Sequence, residues 1–549
     1  MAADATRLQD NLAYWPADTT RDIRDISLGD ALREAAAASA DVIALVDGVR
    51  GAVRRRLSYA ELLEVAEQTA RALLTRFAPG DRIAVMAANR LEWVMLQHGV
   101  ALAGMVLVPI NPSYRLAEAA AILADAEVAG LFHDPHYRDN ALSALAEELQ
   151  AALPALRQTI SFADWGAFLT TADPATPLPP VHSGDPAIIQ FTSGTTGRPK
   201  GATLSHRGII NPPRYAAERI GFRHHGIWIN AMPMYHVGGS VLTSLTTLAQ
   251  HGTYVLMPEW DAGATLELIA AERAEAILLV PTMILALLDH PDFAAHDLSS
   301  LKMVLTGAAA VPPALVHRTR AALGCHLMIT FGQTEVSGTV SMTRLEDAVD
   351  DLANSIGRPL PQVEISIRDR KNAIVPLGTP GEIWIRGYQT MIGYYGMEAE
   401  TAAAITPEGW LRSGDIGILD ERGFLHITGR LKDLIIRGGM NIYPREVEDV
   451  LFDHPAVGQA SVVGVSNEKW GELIAAVILP ADPAHPPLPE ELRAHCRARL
   501  APHKTPSLWF YVDRYPLTPS GKVQKFVLQE WIASGRITGI VASTEKVRG

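Results

Sequence analysis

Apolar residues fall into two rhythms along the first part of the chain. Residues 57–77 carry apolar side chains at helical spacing, 82–87 (RIAVMA) form a short apolar run suited to a buried strand, and 91–103 return to helical spacing. The rhythm comes back at 253–257, 276–280 and 303–306, strand-like runs parted by Ala-rich helical stretches such as 264–272. Stacked βα units produce this alternation, so the pattern predicts an α/β fold. The texture changes near Ser355. Val363, Ile365 and Ile367, then Ile383 and Ile385, recur at every second position, which predicts half-exposed antiparallel strands at 363–369 and 381–387 joined by a turn at 376–381. Beyond Gly429 lies a segment of about 120 residues, enough for a domain of its own. It reads as strands at 460–465, 474–479 and 508–512 with helices at 445–454 and 490–500, a small α+β domain.

Length and charge narrow what such a fold can do. A chain of 549 residues predicts two to four folding units, and 48% hydrophobic with 20% charged residues is the balance of a globular protein. A net charge of −12 argues against general affinity for nucleic acid or an anionic membrane, so any phosphate must be held locally. Two cysteines, Cys325 and Cys496, make neither a disulfide framework nor a CxxC metal pattern, which suits a reducing cytoplasm. Asp4, Asp10 and Asp18 interrupt the N-terminus where a secretory signal would be basic and then apolar, so the protein is expected to stay in the cytoplasm. The most apolar stretch, 96–110, contains Gln97, His98 and Gly99 and runs into Pro109 and Pro112. It reads as a buried helix followed by a buried strand, since a spanning helix needs about 20 apolar residues.

Chemistry concentrates first in residues 192–201, TSGTTGRPKG, which follow the apolar run 187–191. Thr192, Ser193, Gly194, Thr195, Thr196 and Gly197 form a row of small hydroxyl and glycine residues with Lys200 close behind. Backbone N–H groups and hydroxyls in such a loop can surround phosphate oxygens, and glycine permits the close approach. It is not a Walker A loop, because the G-x4-G-K-[ST] spacing is absent. The plain alternative is a Gly/Ser/Thr surface turn.

This loop resembles one in the adenylate-forming superfamily of acyl-CoA synthetases, peptide-synthetase adenylation domains and luciferases. Further motifs stand in the family's order over nearly the whole chain: FGQTE at 331–335, WLRSGD at 410–415, GRLKD at 429–433, IIRGGMNIYP at 435–444 and YPLTPSGKVQK at 515–525. The last two are most similar to medium-chain and related fatty acyl-CoA synthetases. The resemblance implies a large N-terminal AMP-binding domain, 1–430, of stacked βα subdomains with a small antiparallel, β-barrel-like subdomain. A C-terminal lid domain, 431–549, would carry the catalytic lysine and rotate on a hinge at Lys432, a position that could otherwise be a surface ion pair.

Site residues follow from the same resemblance. Thr192 to Gly197 and Lys200 would hold phosphates, with Gly307, Ala308 and Gly332 beside the nucleotide. Phe331 would stack on adenine where the family usually has tyrosine, keeping the ring face and losing the hydroxyl. Thr334 would contact the α-phosphate, and Glu335 would be the Mg2+ ligand, a hard carboxylate oxygen suited to an ion that bridges phosphates. Asp415 would accept hydrogen bonds from the ribose hydroxyls, and Arg430 would contact ribose and phosphate. Lys522 is implied as the catalytic lysine, with Thr192, Glu335 and His236 also in the catalytic set. Gly438 and Gly439 would leave room for the pantetheine arm, the plain alternative being a turn.

An acid:thiol ligase is the expected activity, using ATP, Mg2+ and coenzyme A. A carboxylate resists thiol attack because it is anionic with a poor leaving group, and AMP supplies the better one. Tyr235, His236, Val237, Gly239, Ala309 and Gly332 are implied as the acyl pocket, His236 being alternatively a hydrogen-bonded core histidine. Gly238, Gly239, Ala308 and Ala309 would leave volume there. That volume favours a medium-length aliphatic acid, with an aryl acid second, and the absence of Lys and Arg between Gly226 and Gln250 argues against a second carboxylate there. Transfer to a carrier protein, a non-catalytic nucleotide-binding module and a luciferase-like oxidase are the competing readings. A homodimer is compatible with all of them.

Overall fold

The computed structural model describes residues 8, 11–49, 54–192, 199–307, 311–517, 523–537 and 540–541. Two compact units share the chain. The larger comprises residues 15–365 and 384–412, the smaller 1–14, 366–383 and 413–549.

Two wide sheets build the larger unit. In the seven-stranded one, strands Arg82–Met86 and Val106–Ile110 lie parallel and central, and Pro186–Thr192 extends it beside Val106–Ile110. Helix Leu91–Leu102 is buried at every position and strand Val106–Ile110 likewise, so the apolar stretch 96–110 is interior helix and strand as expected. In the nine-stranded sheet, Ile227–Asn230 sits between Thr253–Leu256 and Ala276–Leu278, all parallel, with Met303–Gly307 and His326–Phe331 following in parallel register. A cluster including Val46, Ile229, Val255, Ile277, Val304 and Leu327 packs its core. Arg358 and Asp347 form an ion pair at 2.8 Å with side chains only 3% and 4% exposed. Arg358→Met should therefore destabilise this unit by about 3–5 kcal/mol, because it strands a buried carboxylate, and denaturant unfolding would read the loss.

The smaller unit holds most of a five-stranded sheet ordered Tyr14–Trp15, Glu364–Arg368, Gly381–Arg386, Leu411–Leu419, Leu425–Arg430. Its middle strands are not half-exposed as their alternation predicts. Ser366 and Trp384, which should face water, are 0% and 3% exposed. Arg368 Nε donates to Ser366 Oγ at 3.0 Å, and the Arg412 guanidinium lies 5.0 Å over the Trp384 ring, so both outer positions are covered.

The C-terminal sheet runs Met440–Ile442, Ile435–Arg437, Gly471–Pro480, Leu508–Tyr511, Ile540–Val541, with Val457–Asn467 pairing antiparallel on Gly471–Pro480. Helices Pro444–Phe452 and Pro489–Arg497 are those predicted, displaced by one to three residues at their ends. One face of the sheet packs Ile435, Val447, Leu451, Ile474 and Trp509, the other Val463, Val477, Phe510 and Leu528. No helix among the described residues is long and apolar enough to cross a membrane.

Candidate active site

The hydroxyl-rich segment is flanked by two paired strands. Strand Pro186–Thr192 pairs antiparallel with Lys200–Ser205, Thr192 opposite Lys200, so the two ends of the loop are pinned together. Thr192 Oγ1 donates to the Lys200 carbonyl at 3.4 Å, and both residues are half-buried. Ser193, Gly194, Thr195, Thr196 and Gly197 lie outside the described residues, as do Ala308, Ala309 and Lys522.

Strand Lys200–Ser205 brings a residue the motifs did not single out. Gly393–Tyr394 pairs with it, Tyr394 opposite Ala202, and the Lys200 ammonium sits 5.0 Å from the centroid of the Tyr394 ring. The same tyrosine donates its hydroxyl to Glu335 Oε1 at 2.9 Å. Met391 N–H donates to the Glu335 carbonyl at 2.8 Å, so the segment before Tyr394 runs along the turn Thr334–Val336. Burial raises the Tyr394 pKa strongly, and the Glu335 charge and hydrogen bond add to it, so the phenol stays protonated and donating. Lys200 and Glu335, far apart in sequence, thus meet across one aromatic ring. The available signal was the tyrosine pair in GYYG at 393–396, whose second member turns away to donate to Glu127 at 2.9 Å.

Glu335 fits a hard cation. One carboxylate oxygen accepts the tyrosine hydrogen bond, and among the described residues the other has no partner. Phe331 ends its strand at 9% exposure and Thr334 is buried at the start of the next turn. Gly307 and Gly332 are fixed by packing: a Cβ would stand 2.4 Å from the Thr330 carbonyl at the first and 2.3 Å from the Gly338 carbonyl at the second.

Segment 232–239 is held by buried amides. Asn89 Nδ2 donates to the Met232 and Met257 carbonyls, both at 2.9 Å, while its Oδ1 accepts from Met234 N–H at 2.7 Å. Gln190 donates to the Tyr235 carbonyl at 3.0 Å. Tyr235 and His236 are half-buried and Val237 is buried. Burial pushes the Tyr235 hydroxyl up to about 12. The segment leads into a π-helix, Gly238–Thr243, that becomes α-helical at Ser244–Ala249; such wide turns recur at functional sites. Gly239 leaves no free volume, since its Cβ would lie 2.4 Å from the Pro233 carbonyl. A cation does stand near Tyr235: Arg138, bound to Glu259 at 3.2 Å, acts electrostatically on the Tyr235 hydroxyl. It comes from a distant segment, so the absence of Lys and Arg between 226 and 250 did not describe the surroundings of Tyr235.

In the smaller unit, Asp415 and Arg430 face each other across an antiparallel pair, with Arg430 Nε 3.2 Å from Asp415 Oδ1. The Asp415 side chain is 7% exposed and the Arg430 side chain 46%, so the guanidinium holds an otherwise buried carboxylate from the solvent side. Gly414, at φ +71° within the strand Leu411–Leu419, supplies the left-handed backbone just before Asp415. Lys432 is exposed in the turn Leu431–Asp433 and has no ion-pair partner among the described residues. Gly438 and Gly439 differ. Both have left-handed backbone, φ +58° and +81°, but a Cβ on Gly438 would press on the Trp470 ring at 3.0 Å, whereas none at Gly439 meets anything within 4 Å. Gly438 therefore seats Trp470, and Gly439 is the open position.

Known proteins agree with this fold. The profile of the AMP-binding enzyme family matches residues 32–395, and that of the AMP-binding enzyme C-terminal domain matches 446–522. The medium-chain acyl-CoA ligase ACSF2, mitochondrial, of Bos taurus is 35% identical, covering 86% of this chain and 83% of its own. The amide bond synthetase McbA of Marinactinospora thermotolerans superimposes with a TM-score of 0.82 at 32% identity, over 92% of this chain and 99% of its own. ATP-bound MatB of Rhodopseudomonas palustris does so with 0.83 at 28%, over 92% and 99%. The protein is thus an acid-activating enzyme of the two-domain adenylating fold. The chain belongs to the AMP-binding enzyme family, as an AMP-forming acid–thiol ligase that uses ATP and coenzyme A.

Proposed function

We propose that the enzyme activates a medium-chain aliphatic acid in the cytoplasm and passes the acyl group to coenzyme A, with Mg2+ at Glu335. The observation that carries the site assignment is the Lys200–Tyr394–Glu335 assembly beside the hairpin that ends in Thr192. It brings a cation and a carboxylate together across one aromatic ring, the pair of charges a triphosphate with its metal needs. Bound Mg2+ would neutralise phosphate oxygens and help pyrophosphate depart. Lys200 draws on the phosphates, Tyr394 fixes the Glu335 carboxylate, Phe331 offers its ring to adenine, and Thr334 meets the α-phosphate. Asp415 and Arg430 hold the ribose. Lys522 bridges the acid's carboxylate oxygen and the α-phosphate, so that the carboxylate attacks phosphorus in line and pyrophosphate leaves.

For the second step, the C-terminal segment from 431 onward turns about Lys432, withdrawing Lys522 and presenting Gly439 to the thiol. The thiol then attacks the acyl carbon and AMP leaves. Aliphatic preference is supported by the apolar lining Val237 can offer, by the neutralisation of Arg138 through Glu259, and by the bovine medium-chain ligase. Buried, free Cys325 and Cys496 suit a reducing compartment.

Pyrophosphate release measured over straight-chain acids of rising length, benzoate and dicarboxylates tests the acid. Maximal turnover with a mid-length straight chain is expected, and a maximum with a dicarboxylate would overturn it. Thioester yield with free coenzyme A against carrier proteins tests the acceptor. Gly439→Leu should slow thioester formation from supplied acyl-adenylate by about 10-fold or more while sparing adenylation. Leucine in a left-handed backbone costs about 1–2 kcal/mol, so Gly439→Asn, which tolerates it, separates obstruction from strain by losing much less. A variant that slows only adenylation would refute the thiol path.

A further inference from the structure

Three histidines meet at the end of the nine-stranded sheet opposite the one leading into segment 232–239. His224 and His225 stand in the turn before strand Ile227–Asn230, His251 in the turn before Thr253–Leu256. These strands run parallel with Ile227 beside Thr253, so the turns lie side by side. Backbone bonds lock them together: His225 N–H donates to the Gln250 carbonyl at 2.9 Å and Thr253 N–H to the Gly226 carbonyl at 2.8 Å. Gly252 is packed so tightly that a Cβ would lie 2.5 Å from the Gly226 carbonyl, and the buried Tyr59 hydroxyl donates to the Gly252 carbonyl at 2.8 Å. His225 and His251 themselves hold left-handed backbone, φ +59° and +46°, which aims both rings from a rigid base.

One ring nitrogen from each of the three lies within 4.8 Å of the others. Ser39 Oγ, at the C-cap of helix Leu28–Ala38, sits 3.1 Å from His225 Nε2 and 2.9 Å from His251 Nδ1. A hydroxyl has one proton to give, so it satisfies these rings only with one of them as the N–H tautomer. No carboxylate bonds to the rings among the described residues.

We propose that His224, His225 and His251 form a binding site for a borderline divalent transition metal such as Zn2+, water completing the coordination. Three imidazoles with an open fourth position are a recognised donor set for that ion. Bonds of about 2.0–2.1 Å put tetrahedral nitrogens about 3.4 Å apart, so the rings must draw in slightly. His224 and His225, exposed, can turn to do so. A bound ion would tie the turns preceding two adjacent strands into one unit.

Calorimetric titration of the chelator-stripped full chain with ZnCl2 at neutral pH tests this. One ion per chain is expected, bound at least about tenfold more weakly in His224→Ala and in His251→Ala, with ATP–pyrophosphate exchange unchanged. Ser39→Ala keeps all three rings and frees two nitrogens, so it should bind at least as tightly. Absence of stoichiometric uptake by the wild type, or equal affinity in the histidine variants, overturns the site. So does a loss in Ser39→Ala as large as theirs, which would mark a packing effect rather than ligation. Near-ultraviolet circular dichroism shows that each variant is folded.

Discussion

Replacing Lys522 by alanine should cut acid-dependent ATP–pyrophosphate exchange by about 10² to 10³, while thioester formation from supplied acyl-adenylate falls far less. The first step concentrates negative charge where carboxylate oxygen and α-phosphate approach, and a fixed ammonium is needed there. The second step has no such approach. Residues 518–522 lie outside the described residues, and the residues on either side of them are paired. Leu517 and Val523 form an antiparallel bridge, and Gln524 N–H donates to the Pro516 carbonyl at 2.8 Å. The other lysine of the motif cannot substitute. Lys525 Nζ is bound to Glu448 at 2.6 Å and to the Val462 carbonyl at 3.1 Å, anchoring helix Lys525–Ala533 to its sheet. Lys525→Ala should therefore lower stability before it lowers chemistry. Lys522→Arg should retain part of the exchange activity. Equal losses of both half-reactions in Lys522→Ala would refute the two-position scheme.

Most of the architecture was legible because burial leaves its mark on periodicity. The buried helix Leu91–Leu102 and strand Val106–Ile110 stood out as a continuous apolar stretch, and the C-terminal strands and helices as short alternating blocks. Alternation failed at Ser366 and Trp384, whose outward faces are covered by Arg368 two residues along the same strand and by Arg412 from the adjacent strand. Partners from distant segments leave no mark on local periodicity. Asn89, which clamps segment 232–239, and Arg138, which acts on Tyr235, come from remote strand ends and turns. Glycines were the hardest to interpret. Gly239, Gly307 and Gly332 admit another backbone and Gly438 admits Trp470, while Gly439 faces open space. In sequence all five are simply small.

Glu335→Ala should lower adenylation by about 10² to 10³ with a steep rise in the Mg2+ concentration required, because it deletes the proposed metal oxygen and unseats Tyr394. Tyr394→Phe separates those effects. Phenylalanine keeps the ring face against which Lys200 rests at 5.0 Å and removes only the 2.9 Å bond to Glu335. If Tyr394 acts by orienting a metal ligand, the loss should be about 10- to 100-fold, the usual cost of removing an outer partner, and should fall mainly on the apparent affinity for MgATP. If the tyrosine serves packing alone, Tyr394→Phe should match the wild type at every Mg2+ concentration, since the ring is unchanged. Lys200→Ala supplies the third arm. It leaves the Tyr394–Glu335 bond in place, so its defect should appear in ATP affinity without a shift in Mg2+ requirement. Identical Mg2+ profiles for Glu335→Ala and the wild type would place the metal elsewhere and leave the carboxylate as a partner for Tyr394.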